Sequence, residues 1–307
     1  MRTRWVSYCG MALFLAVFCL LSGSLVAATP YGETANLDTV NAPDAGEEAK
    51  TTLIGTTSAP SLGMPVKIAA YNIAHARGKE TGGIDEIAKF KYLDGIAALL
   101  QKEKIEIIGF TEISGGRNLR AKLRDQPKYL AKKLGFHYCY GENVRKGWFG
   151  VLASQGNVVM SKYPILSWKN HNLYRSDSKN EQRGCVEALI DLGKNRKLRV
   201  LCAHLSTRKD ESTKQVDELW AMIKDSKEPV ILMGDFNLRP THEAIIKLSK
   251  LMTDTTANLK TSHRGGPTVK IDYHFSLGAI VSGVACTRGE QEGYSDHLCV
   301  VNQYWVK

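Results

Sequence analysis

The sequence predicts an α/β domain in which two mixed β-sheets pack together with helices outside them. Three observations lead to this prediction. Short apolar runs with strand character are interspersed with longer segments of helical periodicity, their order is neither strict βαβ nor all-β, and no internal repeat is found. Beyond the N-terminal segments about 240 residues remain, which is enough for one large α/β domain or two small ones.

The predicted elements follow one another from the first buried strand to the C-terminus. Strands are predicted at Val66–Tyr71, Ile105–Phe110, Gly150–Ser161, Cys185–Leu192, Leu198–His204, Val230–Gly234, Ile271–Ser276, Ala279–Val284 and His297–Trp305. Helices are predicted at Ile84–Gln101, Pro127–Gly135, Glu211–Lys224 and His242–Lys250. Proline is a good first helical residue and glycine a common end, which sets the bounds of the second helix.

Residues 1–28 resemble a signal peptide. Two arginines precede the uncharged apolar stretch Met11–Leu21, and Val26–Ala28 resembles a signal-peptidase site. We therefore expect a secreted or periplasmic protein. A retained membrane anchor is the alternative, because Met11–Ala28 has about the length of a short span. Only this uncleaved segment would place the chain at a membrane.

Residues 29–64 are predicted to be a disordered linker. The segment is rich in small and polar residues, and its large apolar residues are few. Together the two N-terminal segments carry three of the 41 basic and five of the 31 acidic residues, so residues 65–307 have a net charge of +12 against +10 for the whole chain. A basic domain favours polyanionic partners such as nucleic acid or anionic lipid, although solubility alone also explains the charge.

Five of the seven cysteines lie beyond the signal segment. Cys185/Cys202 and Cys286/Cys299 are the plausible pairs, because each flanks a turn or polar loop between two strands, and Cys139 is left over. Export permits disulfides, but cysteines on buried strands are more often core residues. We expect all of them to stay reduced. Their spacing matches no zinc pattern.

Polar residues at the ends of apolar strands are the informative pattern for function. They are Asn72, Glu112, His204, Asp235 with Asn237, Asp272, and Asp296 with His297. A lone aspartate at such a position is usually a turn or a cap, but strand ends on rigid sheets are also where active sites are built. Together these residue types suit hydrolysis of a phosphate ester, because carboxylates hold a hard cation and imidazoles move protons.

Seven segments resemble motifs of the endonuclease/exonuclease/phosphatase superfamily, and they occur in the same order. The best two are Ile231–Asn237 (ILMGDFN) and Tyr294–His297 (YSDH). The others are Ala70–Ile73 (AYNI), Gly109–Ile113 (GFTEI), Gly156–Ile165 (GNVVMSKYPI), Cys202–Leu205 (CAHL) and Ile271–Phe275 (IDYHF). The chain is therefore identified as a member, of a secreted bacterial type, with residues 65–307 as the catalytic domain. The resemblance implies a deoxyribonuclease I-like, four-layer α/β sandwich with a site at one edge of the two sheets.

The resemblance also implies a role for each strand-end residue. Glu112 would bind Mg²⁺ (or Mn²⁺) with Asn72 beside it, and Asp296 would be a second ligand or contact a metal-bound water. Asp235 and Asn237 would position the attacking water and the phosphate. His297 would be the base, oriented by Asp272, and His204 would donate to the phosphate or the leaving group.

Residues outside these motifs support weaker interpretations. Arg183 could bind the phosphate or could be a surface arginine that starts a strand. His75 could touch substrate, but a solvated loop histidine is the preferred interpretation. His274 shares the strand face of Asp272, and we expect it to pack. The tryptophans Trp148, Trp168, Trp220 and Trp305 are expected to be core or surface anchors.

Two departures from the family motifs disfavour DNA repair. Abasic-site endonucleases typically have Asn-x-Asp in the first motif, where this chain has Ala74, and their usual Gln before the metal-binding Glu is Thr111 here. His204 is instead typical of the deoxyribonuclease I-like, sphingomyelinase-like and inositol-phosphatase-like branches. We therefore expect a metal-dependent nuclease or broad phosphodiesterase that acts by in-line attack, with no stable protein partner implied.

Two alternatives stay open. The first is a phospholipid, sphingomyelin or inositol-phosphate phosphoesterase, for which Trp148–Phe149 is a thin sign of membrane entry. The second is a catalytically inactive binding domain, which the intact set of polar groups disfavours. Nucleic acid is preferred over lipid as the substrate because a run of basic residues closely follows Glu112. These residues are Arg117, Arg120, Lys122, Arg124, Lys128, Lys132 and Lys133. The same basic residues would also be expected if this segment were simply a solvated loop followed by the outer face of the helix that starts near Pro127.

Overall fold

The structure is a computed structural model that describes residues 63–79, 88–147, 151–263, 269–278 and 280–307. Its strands are β1 (Met64–Asn72), β2 (Ile107–Ile113), β3 (His137–Lys146), β4 (Ala153–Ser161), β5 (Ile165–Asn172), β6 (Gly184–Gly193), β7 (Arg196–His204), β8 (Val230–Asp235), β9 (Thr253–Asp254), β10 (Asp272–Leu277), β11 (Ile280–Ser282), β12 (Cys286–Arg288) and β13 (Cys299–Val306). Its helices are α1 (Phe90–Lys102), α2 (Gln126–Leu134), α3 (Lys209–Ile223) and α4 (Glu243–Leu251), and a 3-10 turn spans Ala74–Ala76.

These strands form two mixed sheets, as the sequence predicts. The seven-stranded sheet has the order β11-β13-β1-β2-β4-β3, with β12 paired to β13. The six-stranded sheet has the order β5-β6-β7-β8-β10-β9. β1 and β2 run parallel, as do β7 and β8, whereas the remaining neighbours are antiparallel.

Three apolar clusters separate four layers. Successive side chains of a strand point to opposite faces, so each sheet has an inner and an outer face. In β8, Ile231 and Met233 enter the cluster between the sheets, and Val230 and Leu232 enter the cluster beneath α3 and α4. A third cluster joins α1 and α2 to the outer face of the seven-stranded sheet. The predicted four-layer sandwich is confirmed.

Strand direction brings the polar strand ends to one edge. In the parallel pairs Asn72 lies opposite Thr111 and His204 lies opposite Asp235. β10 is antiparallel to β8 and begins there, with Asp272 opposite Asp235. Because parallel neighbours end at the same edge and antiparallel neighbours begin there, residues far apart in sequence become neighbours.

The differences from the predicted elements have physical reasons. β3 and β5 were not predicted, because β3 ends in polar residues and β5 is a largely exposed edge strand without a clear apolar alternation. β2 continues through Glu112 to Ile113, with an irregularity after Phe110. α1 begins at Phe90, and residues 84–87 of the predicted helix lie outside the described residues.

The five described cysteines are all free, which confirms the expectation. Cys185 pairs with Ala203 and Cys202 with Val186, so the two thiols lie on opposite faces of the sheet. Cys286 on β12 pairs with Val301, and Cys299 on β13 pairs with Arg288. The two cysteines therefore lie diagonally to each other, two positions apart in the register.

Several predictions fall outside the described residues. They concern the signal peptide, the linker up to residue 62, and the pair Trp148 and Phe149. Within the part of the chain that is described, no helix has both the length and the apolar character needed to cross a bilayer.

Candidate functional site

The strand-end residues meet in one buried cluster at the common edge of the sheets. Glu112, Asp235, Asp272, His204 and His297 are each exposed by 9% or less. Their side chains approach closely: His204 Nε2 lies 3.4 Å from Asp235 Oδ2 and 4.0 Å from Glu112 Oε1. Such a concentration of buried polar groups has no packing benefit and marks a functional site.

Asn72 connects the two carboxylates. Its Nδ2 donates to Glu112 Oε1 at 3.2 Å and to Asp235 Oδ2 at 2.9 Å. Its Oδ1 accepts a hydrogen bond from the backbone N–H of Ala74 at 3.0 Å. In this orientation Asn72 holds the carboxylates in place, and its own oxygen is already used.

His297 and Asp272 form the predicted dyad. His297 Nδ1 lies 2.9 Å from Asp272 Oδ2 and 3.1 Å from Oδ1. The other ring nitrogen, Nε2, is buried and has no hydrogen-bond partner within the described residues, with Asp235 Oδ2 at 3.7 Å. An imidazole held at Nδ1 by a carboxylate presents Nε2 for proton transfer.

Burial and the neighbouring charges shift the pKa values of two residues of the site. Burial raises the pKa of Asp235 to about 6; Asp272 adds to this, whereas His297 and the Asn72 amide oppose it. Burial also acts to lower the pKa of His297, but the charges of Asp272 and Asp235 outweigh it and raise that pKa to about 10. A cation near these carboxylates would compensate their charge and lower the pKa of His297.

Two site residues have positive φ although neither is glycine. Glu112 has φ 50° and Asn237 has φ 51°. Such backbone is costly for ordinary residues and persists where surrounding contacts enforce it, as at active sites. Asn237 is fixed by hydrogen bonds from its backbone N–H to Asp235 Oδ1 and from its Nδ2 to the carbonyl of Leu205.

Arg183 lies over the His204 ring. Its Nη1 is 2.9 Å from Nδ1 and 2.7 Å from Nε2 of the ring, and 3.2 Å from Glu181 Oε1. The residue directly precedes β6, as one sequence interpretation has it, but its side chain is only 14% exposed and is not that of a surface arginine. Its guanidinium is at the site.

Asp296 lies beside the cluster. Its Oδ2 is 3.9 Å from Arg77 Nη2, and its Oδ1 accepts from Ser295 Oγ at 3.4 Å. Ser295 Oγ lies 2.7 Å from the carbonyl oxygen of Asn72, which ties this loop to β1.

Two overlapping groups in the described residues have the ligand spacing of a metal site. Glu112, His204 and Asp235 offer atoms within 4.8 Å of one another, and so do Asp235, Asp272 and His297. Asp296 belongs to neither group. The oxygen-rich donor set of Glu112 and Asp235 fits a divalent cation such as Mg²⁺ or Mn²⁺.

A family model decides the classification. The endonuclease/exonuclease/phosphatase family model matches residues 69–297, which span every strand-end residue described above. The chain belongs to the endonuclease/exonuclease/phosphatase family. Members of this family generally hydrolyse phosphate esters, as nucleases, phosphatases or phosphodiesterases. The family is typically dependent on divalent metals.

Solved structures share the family fold at low sequence identity. A Beutenbergia cavernae endonuclease/exonuclease/phosphatase is 22% identical with a TM-score of 0.65, covering 79% of this chain and 72% of its own. The catalytic domain of human Nocturnin with bound sulfate is 18% identical (TM-score 0.61), covering 80% and 96%. A Bacteroides thetaiotaomicron mannosyl-6-phosphatase is 15% identical (TM-score 0.59), covering 78% and 99%. No curated protein matches the chain significantly.

The structure corrects the expectation for His75 in this family member. His75 is only 5% exposed and is not a solvated loop residue. Its Nδ1 lies 3.2 Å from Ser114 Oγ, and its Nε2 lies 3.2 Å from Arg120 Nη1 and 3.8 Å from Glu112 Oε2. Burial lowers its pKa to about 4. The sequence offered one signal, its position three residues after Asn72.

His274 packs, as expected. It is fully buried, and its Nδ1 lies 3.1 Å from Tyr304 Oη between the two sheets. Burial lowers its pKa to about 3. Of the described tryptophans, Trp168 is half exposed, Trp220 on α3 packs partly buried against the cluster beneath α3 and α4, and Trp305 is partly buried.

The basic run after Glu112 does not form a single row along a groove. Arg120 turns inward to His75 and Gln155, and Arg124 stacks between the rings of Phe90 and Tyr129. Lys133 pairs with Asp94 on the helical face. Arg117, Lys122, Lys128 and Lys132 are exposed. Sequence reasoning missed Arg77 and Ser114 as neighbours of the site, because both lie in loops whose direction only the fold decides.

Proposed function

We propose that the chain is a metal-dependent phosphoester hydrolase, a nuclease or broad phosphodiesterase, in which His297 activates the attacking water. One observation carries the proposal: His297 is held by Asp272 at 2.9 Å while its buried Nε2 has no hydrogen-bond partner in the described residues and faces the carboxylate cluster. The packed His274 also has an Nε2 without a hydrogen-bond partner in the described residues, so what distinguishes His297 is that its Nε2 lies beside the carboxylate of Asp235 while Asp272 holds its Nδ1.

Each side chain has a proton or charge to handle in this reaction. Nε2 of His297 takes a proton from water while the water oxygen forms a bond to phosphorus and the ester P–O bond opposite it breaks. Asp272 stabilises the resulting imidazolium at Nδ1. His204 and Arg183 donate to the phosphate or the leaving oxygen, and Asp235 and Asn237 position the water and the phosphate.

The carboxylates of Glu112 and Asp235 would hold the cation, with Asn72 orienting both and Asp296 at the side of the site. When bound, a divalent cation neutralises charge on the phosphoryl oxygens. Mg²⁺ and Mn²⁺ are the candidates, because both accept oxygen ligands of this kind.

The charge around the site supports a polyanionic substrate, and we favour nucleic acid. Arg120, Arg77 and Lys146 lie close enough to His75 for their charges to lower its pKa, and Arg183 lies against the His204 ring. A polymer with many phosphates gains from each such contact, whereas a small ester needs only one or two.

A substrate panel tests the proposal. Duplex DNA, RNA, bis-nitrophenyl phosphate, sphingomyelin, an inositol phosphate and a hexose 6-phosphate are incubated with Mg²⁺, with EDTA, and with the His297→Ala variant. We expect nucleic acid cleavage that requires Mg²⁺ and falls steeply between low and physiological salt, while turnover of the nitrophenyl ester barely changes. Absence of turnover of every ester would leave the inactive binding domain as the function.

A second candidate function, phospholipid hydrolysis, is favoured by one specific observation. Four large aliphatic side chains near Arg120 are exposed by 46–53%: Leu119, Leu123, Val151 and Leu152. Backbone hydrogen bonds from Leu119 to Val151 and from Arg120 to Leu152 join the two loops that carry them. Aliphatic side chains next to basic side chains suit an anionic lipid surface better than they suit the stacking of nucleobases. Turnover of sphingomyelin or an inositol lipid without any nucleic acid cleavage would establish this candidate.

The N-terminal segment supports export of the enzyme, as a secreted or periplasmic protein. Mass spectrometry of the expressed protein tests this, because cleavage after Ala28 leaves a chain that begins at Thr29. A chain that retains residues 1–28 in the membrane fraction would establish the anchored form.

A further inference from the structure

The connection between β9 and β10 contains a buried threonine that lies outside all seven motif segments. Thr261 is fully buried, and its Oγ1 accepts hydrogen bonds from the backbone N–H groups of Asp272 at 3.0 Å and Ile271 at 3.1 Å. The hydroxyl itself donates to the carbonyl of Val269 at 3.4 Å. A hydroxyl has a single hydrogen and a pair of acceptor sites, so Thr261 uses its full hydrogen-bonding capacity at the start of β10.

The backbone of Thr261 holds the segment that carries the other member of the dyad. Its carbonyl accepts from the backbone N–H of Leu298 at 2.7 Å, and Leu298 directly follows His297. The neighbouring Ser262 forms a β-bridge with His297. Thr261 therefore ties together the two chain segments that carry Asp272 and His297, which are 25 residues apart in sequence.

The Asp272 carboxylate depends on its backbone for its position. Within the described ranges, the hydrogen bonds of both carboxylate oxygens go to His297 Nδ1, at 2.9 and 3.1 Å, and no further group holds them. An aspartate side chain is short, so its oxygens follow any shift of the backbone that carries them. Because Thr261 fixes the backbone N–H of Asp272, loss of this hydrogen bond would let the carboxylate move relative to the ring.

We propose that Thr261 is a positioning residue that holds the Asp272 backbone so that its carboxylate meets Nδ1 of His297. The inference rests on the proposed role of His297 as the base and adds a residue that none of the motifs contains. The hydroxyl of Thr261 bonds to backbone groups alone, so its effect reaches the reaction through the dyad. Misplacement of a catalytic group by about 1 Å can lower turnover roughly a hundredfold.

A graded series at position 261 separates the hydroxyl from the space that it fills. Thr261→Ser retains the acceptor, Thr261→Cys replaces it with a weak one, and Thr261→Val keeps the shape of threonine without an acceptor. With bis-nitrophenyl phosphate and Mg²⁺ we expect kcat to fall about twofold or less in Thr261→Ser, about tenfold in Thr261→Cys and roughly a hundredfold in Thr261→Val. KM and the Mg²⁺ concentration for half-maximal activity should stay within about twofold of wild type.

Equal kcat in Thr261→Ser and Thr261→Cys overturns the proposal. This comparison decides the question even if Thr261→Val does not fold, because both side chains have the same shape and differ in the strength of the acceptor. A large rise in KM with an unchanged kcat also overturns it, since that result would mean that Thr261 acts on substrate binding.

Thr256→Val is the matched control for lost stability. Thr256 is likewise fully buried, and its Oγ1 accepts from the backbone N–H of His274 at 3.3 Å and donates to Asp254 Oδ1 at 2.8 Å. The change removes the same kind of hydrogen bond from β10, two residues beyond Asp272. We expect it to lower the midpoint of thermal unfolding, as Thr261→Val also does, but to leave kcat unchanged. Equal losses of kcat in the two variants would show that only the stability of β10 matters.

The hydrogen bond within the dyad gives a readout that does not need turnover. Chains with isotope-labelled histidine are compared by NMR without substrate, and Asp272→Asn identifies the resonance of the His297 Nδ1 proton that is bonded to Asp272. We expect this resonance to be the same in wild type and Thr261→Ser, and to shift or disappear in Thr261→Val and Thr261→Cys. That result supports the inference even if no ester is hydrolysed. An unchanged resonance in Thr261→Val and Thr261→Cys overturns it, whatever the activity.

Discussion

At the scale of single residues, the chemistry depends on how differently the two nitrogens of one imidazole are surrounded. His297 Nδ1 contacts Asp272, while Nε2 has Asp235 Oδ2 at 3.7 Å. The carboxylates stabilise the protonated ring strongly enough to raise its pKa to about 10 against the effect of burial. A ring with this pKa already holds its proton at neutral pH, but a cation held by the carboxylates would offset their charge, lower the pKa and leave Nε2 able to accept a proton from water.

Removing either member of the dyad tests this assignment. We expect His297→Ala and Asp272→Asn each to lower kcat by roughly 10²–10⁴ in the presence of Mg²⁺, because proton transfer from the attacking water is lost or misdirected. The double variant should be little worse than the more damaging single one, since the two residues act as one unit.

Steady-state kinetics on the best substrate of the panel measure these losses. The exposed His137→Ala is the matched control and should retain wild-type turnover. A His297→Ala enzyme with near wild-type kcat would show that another group is the base.

At the scale of secondary-structure elements, α3 holds the loop that leads to Arg183. Glu211 is almost fully buried and accepts hydrogen bonds from the backbone N–H and Oγ of Ser176, from Asn180 Nδ2 and from Ser206 Oγ. Burial alone would raise the pKa of Glu211, but these hydrogen bonds outweigh it and lower that pKa to about 2. The ionised carboxylate is therefore part of the loop structure.

Acid should weaken this loop. The folded pKa of Glu211 is below the ordinary value of 4.5, so its stabilising contribution is complete above about pH 5 and is lost as the pH falls toward 2. We expect Glu211→Gln to be less stable than wild type near pH 6, with a difference that shrinks as the pH falls through this range. Urea unfolding at several pH values measures it, and the exposed Glu243→Gln is the control. A difference that is constant from pH 6 to pH 2 would contradict the assignment.

β7 and β8 approach each other closely just before the site. Gly234 has φ 132°, and a Cβ built there would lie 2.1 Å from the carbonyl oxygen of Ala203. The next residue is Asp235, so the glycine fixes the position of the central carboxylate. Here a side chain would meet backbone, which cannot rotate away.

Gly234→Ala should therefore lower the free energy of unfolding by about 2–4 kcal/mol and also reduce activity. Urea unfolding measures the first effect. Gly193→Ala is the matched control, because Gly193 also has positive φ, 79°, but nothing lies within 4 Å of its added Cβ. Gly193→Ala should lower the free energy of unfolding by less than Gly234→Ala does and should leave kcat unchanged. Equal losses of stability in the two variants would mean that backbone strain alone matters.

At the scale of the whole molecule, two sheets contribute like charges to a single buried cluster. Glu112 belongs to the seven-stranded sheet, whereas Asp235 and Asp272 belong to the six-stranded sheet. Their mutual repulsion and burial oppose the closure of the two sheets. A divalent cation between them would offset both and join the sheets.

Metal should therefore affect stability as well as activity. We expect EDTA to abolish hydrolysis and Mg²⁺ or Mn²⁺ to restore it, and the same ions to raise the midpoint of thermal unfolding in proportion to the logarithm of their concentration above Kd. Asp235→Asn should lose both responses. Full activity in EDTA would exclude the proposed mechanism, and a thermal shift that survives in Asp235→Asn would place the bound ion elsewhere.

The sequence alone determined the fold and most of the candidate site. Apolar runs, helical periodicity and ordered motifs act locally. The start of α2 within one residue of Pro127, its end just before Gly135, and the strand ends at Asn72 and Asp235 could therefore be predicted without the fold. The edge strand β5 could not, because an exposed strand carries little apolar signal.

Only the tertiary structure decided which loop residues join the site. His75 and Arg120 are 45 residues apart, and their contact depends on a turn with positive φ and on Gln126 in a third segment. The pKa of the His297 ring likewise depends on the carboxylates of Asp272 and Asp235, which belong to the six-stranded sheet. Local patterns predict strands and their ends, but burial and the electrostatic field at a side chain arise from groups that only folding brings together.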